Sequence, residues 1–457
     1  MPETSSFVNR PAADRCPGAL RLVEAADGFL ARVRLPGGFV SAGQLRALAR
    51  LADRLGDGRA ELTSRGNVQL RGLAGTAATT LTSELAEAGL LPSLAHDQVR
   101  NVIASPLAGL DRGPELTGLV RALDSALCAR PRLTELSGRF LFAVDDGRGD
   151  VAGLGADVTA IVRADGPVLN GAVLNRAVVN EAVVNGAVHS EAAVNGSVVS
   201  GAVVNGLSAD RVVAVMVEFA EAFLDLRAEA GSTAWRIADL PDGADRVRAA
   251  VAARLGPAAA GSASSGAGTG PAAARHGPAA AGARPAVAGA GPGPAAVPVR
   301  RPVGLVGLEG ARDGAESAAP VRDDVYDSAV LLAPLGRLTA AQLTWLADRL
   351  AGPDARVTPW RSVVLPRLPD AAGVLREAAG LGFGTDDGSP WLRVTACAGR
   401  PGCASALADV QADAAGFAAR WPGRLVHVSG CARHCGRPAA TEIDVTATSE
   451  GYQIAGV

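Results

Sequence analysis

Apolar and polar positions along the chain alternate between two periods. "GFLARVRLPGGFV" alternates with period two, which predicts a strand with Arg32 and Arg34 on one face, ended by a Pro-Gly-Gly turn. "GRFLFAVDDG" predicts a second strand closed by an Asp-Asp-Gly turn, and "DVTAIVRADG" a third. "ADRVVAVMVEFAEAFLDLRAEAG" carries the helical period and stops at glycine. Strands and helices alternate throughout, so the class is α+β or α/β.

Two stretches repeat one pattern. "QLRALARLADRLGDGRAELTSRGNVQLRGL" and "QLTWLADRLAGPDARVTPWRSVVLPRL" each predict an amphipathic helix with a QL start and an L-A-D-R-L turn, then a Gly/Asp turn and a strand. Thr63 matches Thr358, Val68 matches Val363 and Leu70 matches Leu365, with Arg65 and Arg361 one position apart. The chain therefore carries an internal duplication.

Two other segments lack these periods. In residues 166–207, Asn170, Asn175, Asn180, Asn185, Asn195 and Asn205 recur every five positions, with Ser190 and Ser200 filling the gaps. Period five suits neither a helix nor a flat strand. It is faintly similar to pentapeptide-repeat coils, and a slipped-repeat expansion in a surface loop is the favoured reading. Residues 256–324 open with an Ala/Pro/Gly/Ser-rich tract too poor in large apolar groups to order itself, and they read as a linker.

Composition narrows the picture. With 457 residues there is room for several cores. A formal net charge of −2 gives no global basic field for nucleic acid, so any anion site is local. The polar start "MPETSSFVNRPAADRC" has no apolar signal core, and no run is long enough to predict a membrane span. The expectation is a cytoplasmic protein with neither nucleic-acid nor membrane partners.

Four of the six cysteines fall late, as Cys397 and Cys403 in "TACAGRPGCASA" and Cys431 and Cys435 in "HVSGCARHCGRP". So few cysteines in so long a chain do not make a disulfide scaffold. Zinc prefers tighter pairs. An iron–sulfur cubane takes four thiolates on a wider frame, and Gly399, Gly402, Gly430 and Gly436 would let backbone amides approach it. The [4Fe-4S] reading is favoured, with zinc or structural thiols as alternatives. Cys16 and Cys128 stand alone and read as inert.

C-x5-C followed by C-x3-C, with the duplication and with "RVRLPGG", "TSRGNVQLRG" and "RNVIASPLAG", resembles the sulfite and nitrite reductase family across roughly 16–160 and 325–457. The resemblance implies duplicated ferredoxin-like half-domains with two larger α/β domains, in an α+β chain. These would be a half-domain at 16–85, an α/β domain at 86–255 carrying the 166–207 insert, the linker, a half-domain at 325–385 and a cluster domain at 386–457. It implies Cys397, Cys403, Cys431 and Cys435 as ligands of a [4Fe-4S] cluster. It also implies Arg32, Arg65, Arg100, Arg139, Arg361, Asn67 and Gln69 on a tetrapyrrole whose carboxylates suit planar guanidiniums. Arg34, Arg71 and Asn101 lie in the same segments.

"ACAGRPGCASA", "HVSGCARHC" and "TPWRS" are most similar to a branch of that family in aerobic cobalamin biosynthesis. It hydroxylates precorrin-3A at the C20 meso carbon and closes a γ-lactone, using O2 and outside electrons. The cofactor pocket would then hold substrate in place of sirohaem, and the branch implies a mononuclear non-haem iron. The family's K-x-K strand reads Arg139 and Leu141 here, and neither residue can supply the protons of oxyanion reduction. An assimilatory reductase with sirohaem, or a non-catalytic tetrapyrrole-binding or electron-transfer module, are the alternatives. His96, His427 and His434 are the histidines outside the repeat and linker, and they yield no two-histidine, one-carboxylate set from sequence. His434 reads as a tuner of the cluster. No dinucleotide fingerprint appears, so electrons are expected from a separate reductase or ferredoxin.

Overall fold

The computed structural model describes residues 14, 16–110, 113–162, 209–255 and 327–456, with the backbone of three further short strands at 172–175, 201–204 and 304–306. The first repeat comprises β1 (Val23–Ala25), β2 (Gly28–Val33), β3 (Phe39–Val40), α1 (Ala42–Leu55), β4 (Arg59–Leu62), β5 (Val68–Leu73) and α2 (Ala78–Glu87). A second unit follows with β6 (Val102–Ala104), α3 (Thr117–Cys128), β7 (Phe142–Asp145), β8 (Val158–Val162), β9 (Ala172–Asn175), β10 (Gly201–Val204), α4 (Ala209–Glu229) and α5 (Gly243–Leu255). The second repeat comprises β11 (Gly304–Val306), β12 (Asp327–Leu332), β13 (Arg337–Thr339), α6 (Ala340–Arg349), β14 (Ala355–Val357), β15 (Ser362–Leu368) and α7 (Ala371–Gly380). The last unit holds β16 (Val394–Ala396), α8 (Val410–Arg420), β17 (Val426–Ser429), β18 (Ile443–Thr448) and β19 (Gly451–Ala455). The chain is α+β, with ferredoxin-like halves.

The repeats exchange edge strands. One sheet runs β1-β2-β5-β4-β13 and the other β11-β12-β15-β14-β3, so each half is finished by a strand from its twin. Leu338 lies opposite Ala60, and Ala355 opposite Val40. Both exchanged strands lead into helices through a capping box. Ser41 Oγ accepts the Gln44 N–H at 3.2 Å, and Thr339 Oγ1 accepts the Gln342 N–H at 3.1 Å. Helix α1, with 14 residues, outruns α6, with 10, by about one turn, which is why the L-A-D-R-L stretches sit at different distances from their caps. Leu45, Leu48 and Leu51 share one core with Leu343 and Leu346, and Arg46 and Asp348 close the helix pair at 2.9 Å.

The duplication extends to backbone conformation. Gly37 (φ 67°) and Gly38 (φ 76°) correspond to Leu335 (φ 54°) and Gly336 (φ 79°). Thr63 Oγ1 accepts the N–H groups of Arg65 and Asn67, and Thr358 Oγ1 those of Trp360 and Ser362. Trp360 therefore stands in the place of Arg65, and Arg361 (φ 62°) in that of Gly66 (φ 64°). This accounts for the one-position offset of the two arginines.

The second unit is a β10-β9-β8-β7-β6 sheet, parallel through β6, β7 and β8. Phe140 packs against Phe142 and Phe223 at centroid distances of 5.2 and 5.3 Å. β9 and β10, near the two ends of the period-five segment, pair antiparallel. The rest of that segment lies outside the described residues, as does the linker apart from β11. In the last unit β16, β17 and β18 are parallel, and β19 returns antiparallel. Val410, Ala414 and Ala418 of α8 seal Val426, Val428, Ile443 and Val445. Among the described residues no helix is long and apolar enough to cross a membrane.

Because each repeat borrows an edge strand, residues 14–255 made alone should be insoluble or unfolded. Co-expression with residues 301–457 as a second chain should restore a soluble pair. Size-exclusion chromatography and circular dichroism check this, and a stable, folded 14–255 alone would contradict the interlock.

Candidate functional site

Alternation on β2 and β5 sends Ala31, Val33, Val68 and Leu70 into the helix-covered core and Arg32, Gln69 and Arg71 to the opposite face, with Arg34 and Asn67 flanking the strands. That face is covered by other parts of the chain. Arg34, Asn67 and Arg71 are 1%, 1% and 7% exposed. Arg32 Nε donates to Gln69 Oε1 at 3.1 Å, and Gln69 leans on Glu61. Asn67 Oδ1 accepts the Leu35 N–H at 2.9 Å, and its amide nitrogen faces Asn101 Oδ1 at 3.5 Å. Asn101 in turn donates to Gly138 O at 2.8 Å.

Guanidiniums gather over this face. Arg65 Nη1 donates to Gly138 O at 3.2 Å. Arg139 is exposed and stacks over Trp235 at 4.8 Å. Burial, and then mutual repulsion, hold Arg32, Arg34 and Arg65 below the usual arginine range. Arg32 feels Arg139, Arg34 feels Arg32 and Arg65, and Arg65 feels Arg236 and Arg32. Burial alone is the largest cause for Arg34, which comes down to about 9. Cys16, buried at the edge of this group, has its thiol pushed up by burial and by Asp14.

Arg71 reaches the other end of the face. It grips Asp27 through two 2.9 Å bonds and donates to Gly402 O at 2.8 Å, inside the C-x5-C loop. The cysteine segments leave the C-terminal ends of β16 and β17, which are adjacent and parallel, so Cys397 and Cys431 start as neighbours. All four thiols are free. Gly430 N–H donates to Cys397 Sγ at 3.1 Å, and a Cβ on Gly430 would meet Ala406 at 2.7 Å. Ala406 N–H returns to Cys403 O at 3.0 Å, and Leu407 N–H to Gly430 O at 2.8 Å, which ties the two cysteine loops together.

A polynuclear centre and a single ion would ask for different sulfur spacings. Tetrahedral zinc, with Zn–S near ~2.3 Å, would draw its sulfurs to about 3.8 Å. Among the described residues, the three-ligand sets within 4.8 Å consist of Asp145, Asp146 and Asp150 alone, so the thiols are not packed around a single ion.

The remaining sequence candidates lie elsewhere. Arg100 is committed to Asp124 by two 2.7 Å bonds and to Leu90 O at 3.0 Å. The Arg361 side chain runs against Gly336, and a Cβ there would sit 2.7 Å from its Cδ. His96 has both ring nitrogens engaged, by Ser93 Oγ at 2.8 Å and Arg130 O at 3.0 Å. His427 is buried beside Thr395, its ring pushed down to about 4 chiefly by burial, and His434 reaches Ser429. The described residues assemble no two-histidine, one-carboxylate set, and no step is derived from one. Asp145 accepts four backbone N–H groups and Asp146 is gripped by Arg148. Sequence reading missed Arg236, which is paired with Asp157 at 2.9 Å and lies 171 positions beyond its neighbour Arg65 in number.

Residues 23–88 match the family model of the nitrite/sulfite reductase ferredoxin-like half domain. The chain is 25% identical to precorrin-3B synthase of Sinorhizobium sp over 447 residues, spanning 96% of this chain and 81% of that protein. The chain is thus similar to the nitrite/sulfite reductase family, by family model over its first half-domain. The family model places its likeness in the first half-domain. Ferredoxin–nitrite reductase of Leptolyngbya laminosa is 34% identical over 124 residues, 25% of this chain and 24% of its own length, and that of Synechococcus elongatus 36% over 128 residues. The chain thus spans about a quarter of those reductases. The NirA protein of Mycobacterium tuberculosis shares the family fold, with a TM-score of 0.61 and 20% identity over 93% of this chain and 73% of that one.

Asp150 gives a pH test. Burial, with Asp145 and Asp146 nearby, pushes its carboxyl up to about 6. A folded value above the ordinary 3.8 means the native state holds this proton more tightly. The penalty is therefore full above pH 6 and fades as pH falls toward 3.8. Asp150→Asn should add on the order of 1–2 kcal/mol near neutral pH and flatten this slope. Urea melts across that window check it, and an unaltered slope would count against it.

Proposed function

We propose that this protein is a precorrin-3B synthase-type monooxygenase, hydroxylating precorrin-3A at C20 with γ-lactone formation, using O2 and electrons from an outside reductase or ferredoxin. One arrangement carries the reading. A single buried sheet face presents Arg32, Arg34 and Arg65 at one end and, through Arg71, holds the cysteine loop at the other.

The guanidiniums would bind and orient the acetate and propionate groups of the macrocycle, each through paired N–H donors. Gln69 and Asn67 hold Arg32 and the Leu35 backbone in place, so the face is set before the ligand arrives. Burial of the face excludes water from those ion pairs and strengthens them. Cys397, Cys403, Cys431 and Cys435 would hold a [4Fe-4S] cluster, and Gly430 N–H already donates to one of the sulfurs. When bound, that cluster supplies electrons one at a time. Leu141 is 3% exposed and packs with Ile103, Ala143 and Trp360, so the strand offers no proton donor there. This disfavours an oxyanion reductase, which needs protons at each reduction step. A sirohaem reductase is the second reading, favoured by the matches between the half-domain and nitrite reductases.

Anaerobically purified protein should carry iron and acid-labile sulfide without sirohaem. With precorrin-3A, O2 and a reductant it should yield a product heavier by one oxygen by mass spectrometry. Stoichiometric sirohaem in the pigment extract would shift the assignment to the reductase. Arg71→Ala should cost about 3 kcal/mol by stranding Asp27, and should shed iron and sulfide faster under chelator than wild type. Equal rates of loss would detach Arg71 from the cluster loop.

A further inference from the structure

Four polar side chains form one row across the first sheet. Arg337 of the exchanged strand β13 lies opposite Glu61 of β4, Glu61 opposite Gln69 of β5, and Gln69 opposite Arg32 of β2. Residues directly opposite one another project from the same face, so the row crosses four strands without leaving it. The contacts are continuous. Arg32 Nε donates to Gln69 Oε1 at 3.1 Å, and Gln69 Nε2 donates to Glu61 Oε2 at 3.4 Å. The other carboxylate oxygen, Glu61 Oε1, faces Arg337 Nε at 3.7 Å, and Asp57 steadies the same guanidinium at 3.6 Å. Arg337 Nη1 then donates to Gln411 Oε1 at 2.6 Å, and Gln411 Nε2 to the carbonyl of Cys397 at 3.1 Å. The row thus begins on the cationic face and ends on the backbone of a cysteine in the C-x5-C loop.

Its loosest joint is Glu61. The carboxylate is divided between Gln69 and Arg337, and Arg337 Nε is buried with no hydrogen bond of its own. Hydrogen bonds in a chain polarise one another. While Arg32 donates to Gln69, the Gln69 amide is the stronger donor and draws Glu61 toward β5. An anion that takes the Arg32 donors relaxes that pull, and Glu61 is freed to close on Arg337. A guanidinium is a better partner for a carboxylate than a neutral amide is. Closing that pair holds Arg337, Gln411 and the Cys397 carbonyl more firmly. Glu61 and Arg337 have 18% and 24% of their side chains exposed, so solvent screens the joint only in part.

We infer that Glu61, Arg337 and Gln411 are positioning residues, which set the Cys397 loop and couple it to an anion bound at Arg32. The nature of that anion and the iron at Cys397 rest on the function proposed above; the row itself rests on strand register and hydrogen bonding. The coupling passes through β13, so it exists only in a chain whose repeats have exchanged strands.

The test uses full-length protein as purified, with the variants Glu61→Gln, Arg337→Met, Arg337→Lys and Gln411→Leu. It reads the rate at which a chelator removes iron, with and without uroporphyrin as a stable polycarboxylate probe. Without probe, Gln411→Leu and Arg337→Met should release iron about fivefold faster than wild type, as loss of one hydrogen bond implies. Arg337→Lys, which keeps charge without the planar fork, should fall between. Uroporphyrin should slow release from wild type about fivefold. It should leave the rate of Glu61→Gln unaltered, although fluorescence titration shows that variant still binding the probe. A brace alone would quicken release with and without probe alike, so the lost response of Glu61→Gln separates coupling from support. Equal probe-free rates in wild type and Gln411→Leu overturn the inference. So does wild type that binds the probe with no change in rate, or a Glu61→Gln protected as well as wild type, which would mean that the probe shields the loop directly. Wild type that binds no uroporphyrin sinks the tetrapyrrole reading, and the row is then decided by the probe-free rates. Wild type purified without iron sinks the cluster reading, and the row is then decided by iodoacetamide labelling of Cys397, which Gln411→Leu should quicken relative to Cys435; an unchanged ratio would overturn it.

Discussion

A sheet that buries both faces must answer every polar group on each, and here one of those faces is cationic. Arg32, Arg34 and Arg71 leave the β2–β5 pair on the side away from the helices, where water would ordinarily screen them. The structure covers them instead with pieces from three places. Gln98, Asn101 and Gly138 come from the second unit, Pro17 from the segment before β1, and Gly402 from the cysteine loop. Each of these offers a carbonyl or an amide, and none brings a full negative charge to Arg32 or Arg34. Asp27 does so for Arg71 alone. The surrounding units are thus arranged around a positive face that they satisfy only in part. Such a face is costly to keep dry, because the donors it leaves unanswered would be better paired.

Holding that face still requires a frame that does not relax, and the strand exchange provides one. β3 and β13 each complete the other repeat's sheet, and both crossings are tight. A Cβ on Gly38 would lie 2.0 Å from Val357 O, and one on Gly336 would lie 3.1 Å from Leu62 O. The second repeat places Leu335 and Arg361 at left-handed positions where the first uses Gly37 and Gly66. Each such residue costs about 1–2 kcal/mol, which is tolerable only where the surroundings fix the turn. The copies have also diverged in what they present. Arg65 reaches Gly138, while its counterpart Trp360 packs with Leu141 and Ile103. One half supplies charge and the other supplies an apolar wall.

The local parts of this could be read from residue order. Period-two alternation puts Arg32 and Arg34 on one face, the amphipathic QL starts mark both helices, and the paired cysteine spacing marks a four-thiol site. Partner choice was not local. Nothing around "RNVIASPLAG" says that Arg100 will be claimed by Asp124, 24 positions on in α3. Arg71 meets Gly402 across 331 positions. Arg361 looked like the twin of Arg65 because side-chain type was matched where backbone conformation should have been, and φ is not written in one residue's chemistry. Arg34 was visible as a strand arginine, but its missing partners exist only once the Pro17 and Gln98 segments have folded over it. Arg236 joins the cationic group through an ion pair with Asp157 that no short motif announces.

Scaffold and chemistry are legible at different places in this molecule. Identities of 34% and 36% to two ferredoxin–nitrite reductases extend over about a quarter of the chain, and the family model falls where the β1–β5 sheet and its cationic face are built. A bound polyanionic macrocycle would need guanidiniums of this kind whether it were a cofactor or a substrate. What is done to it depends on the groups that stand over the ring, because fold alone does not choose a reaction. A reductase of oxyanions must deliver protons where electrons arrive. At this strand the chain has Arg139, stacked outward on Trp235, and Leu141, sealed in an apolar cluster. An apolar wall is a poor proton relay but a suitable boundary for a large ring whose own carbon is the reacting atom. The match that spans nearly the whole chain, to precorrin-3B synthase, agrees in direction with that boundary. Under the proposed function, the half-domain likeness bears on what is bound and the buried Leu141 on what is done to it.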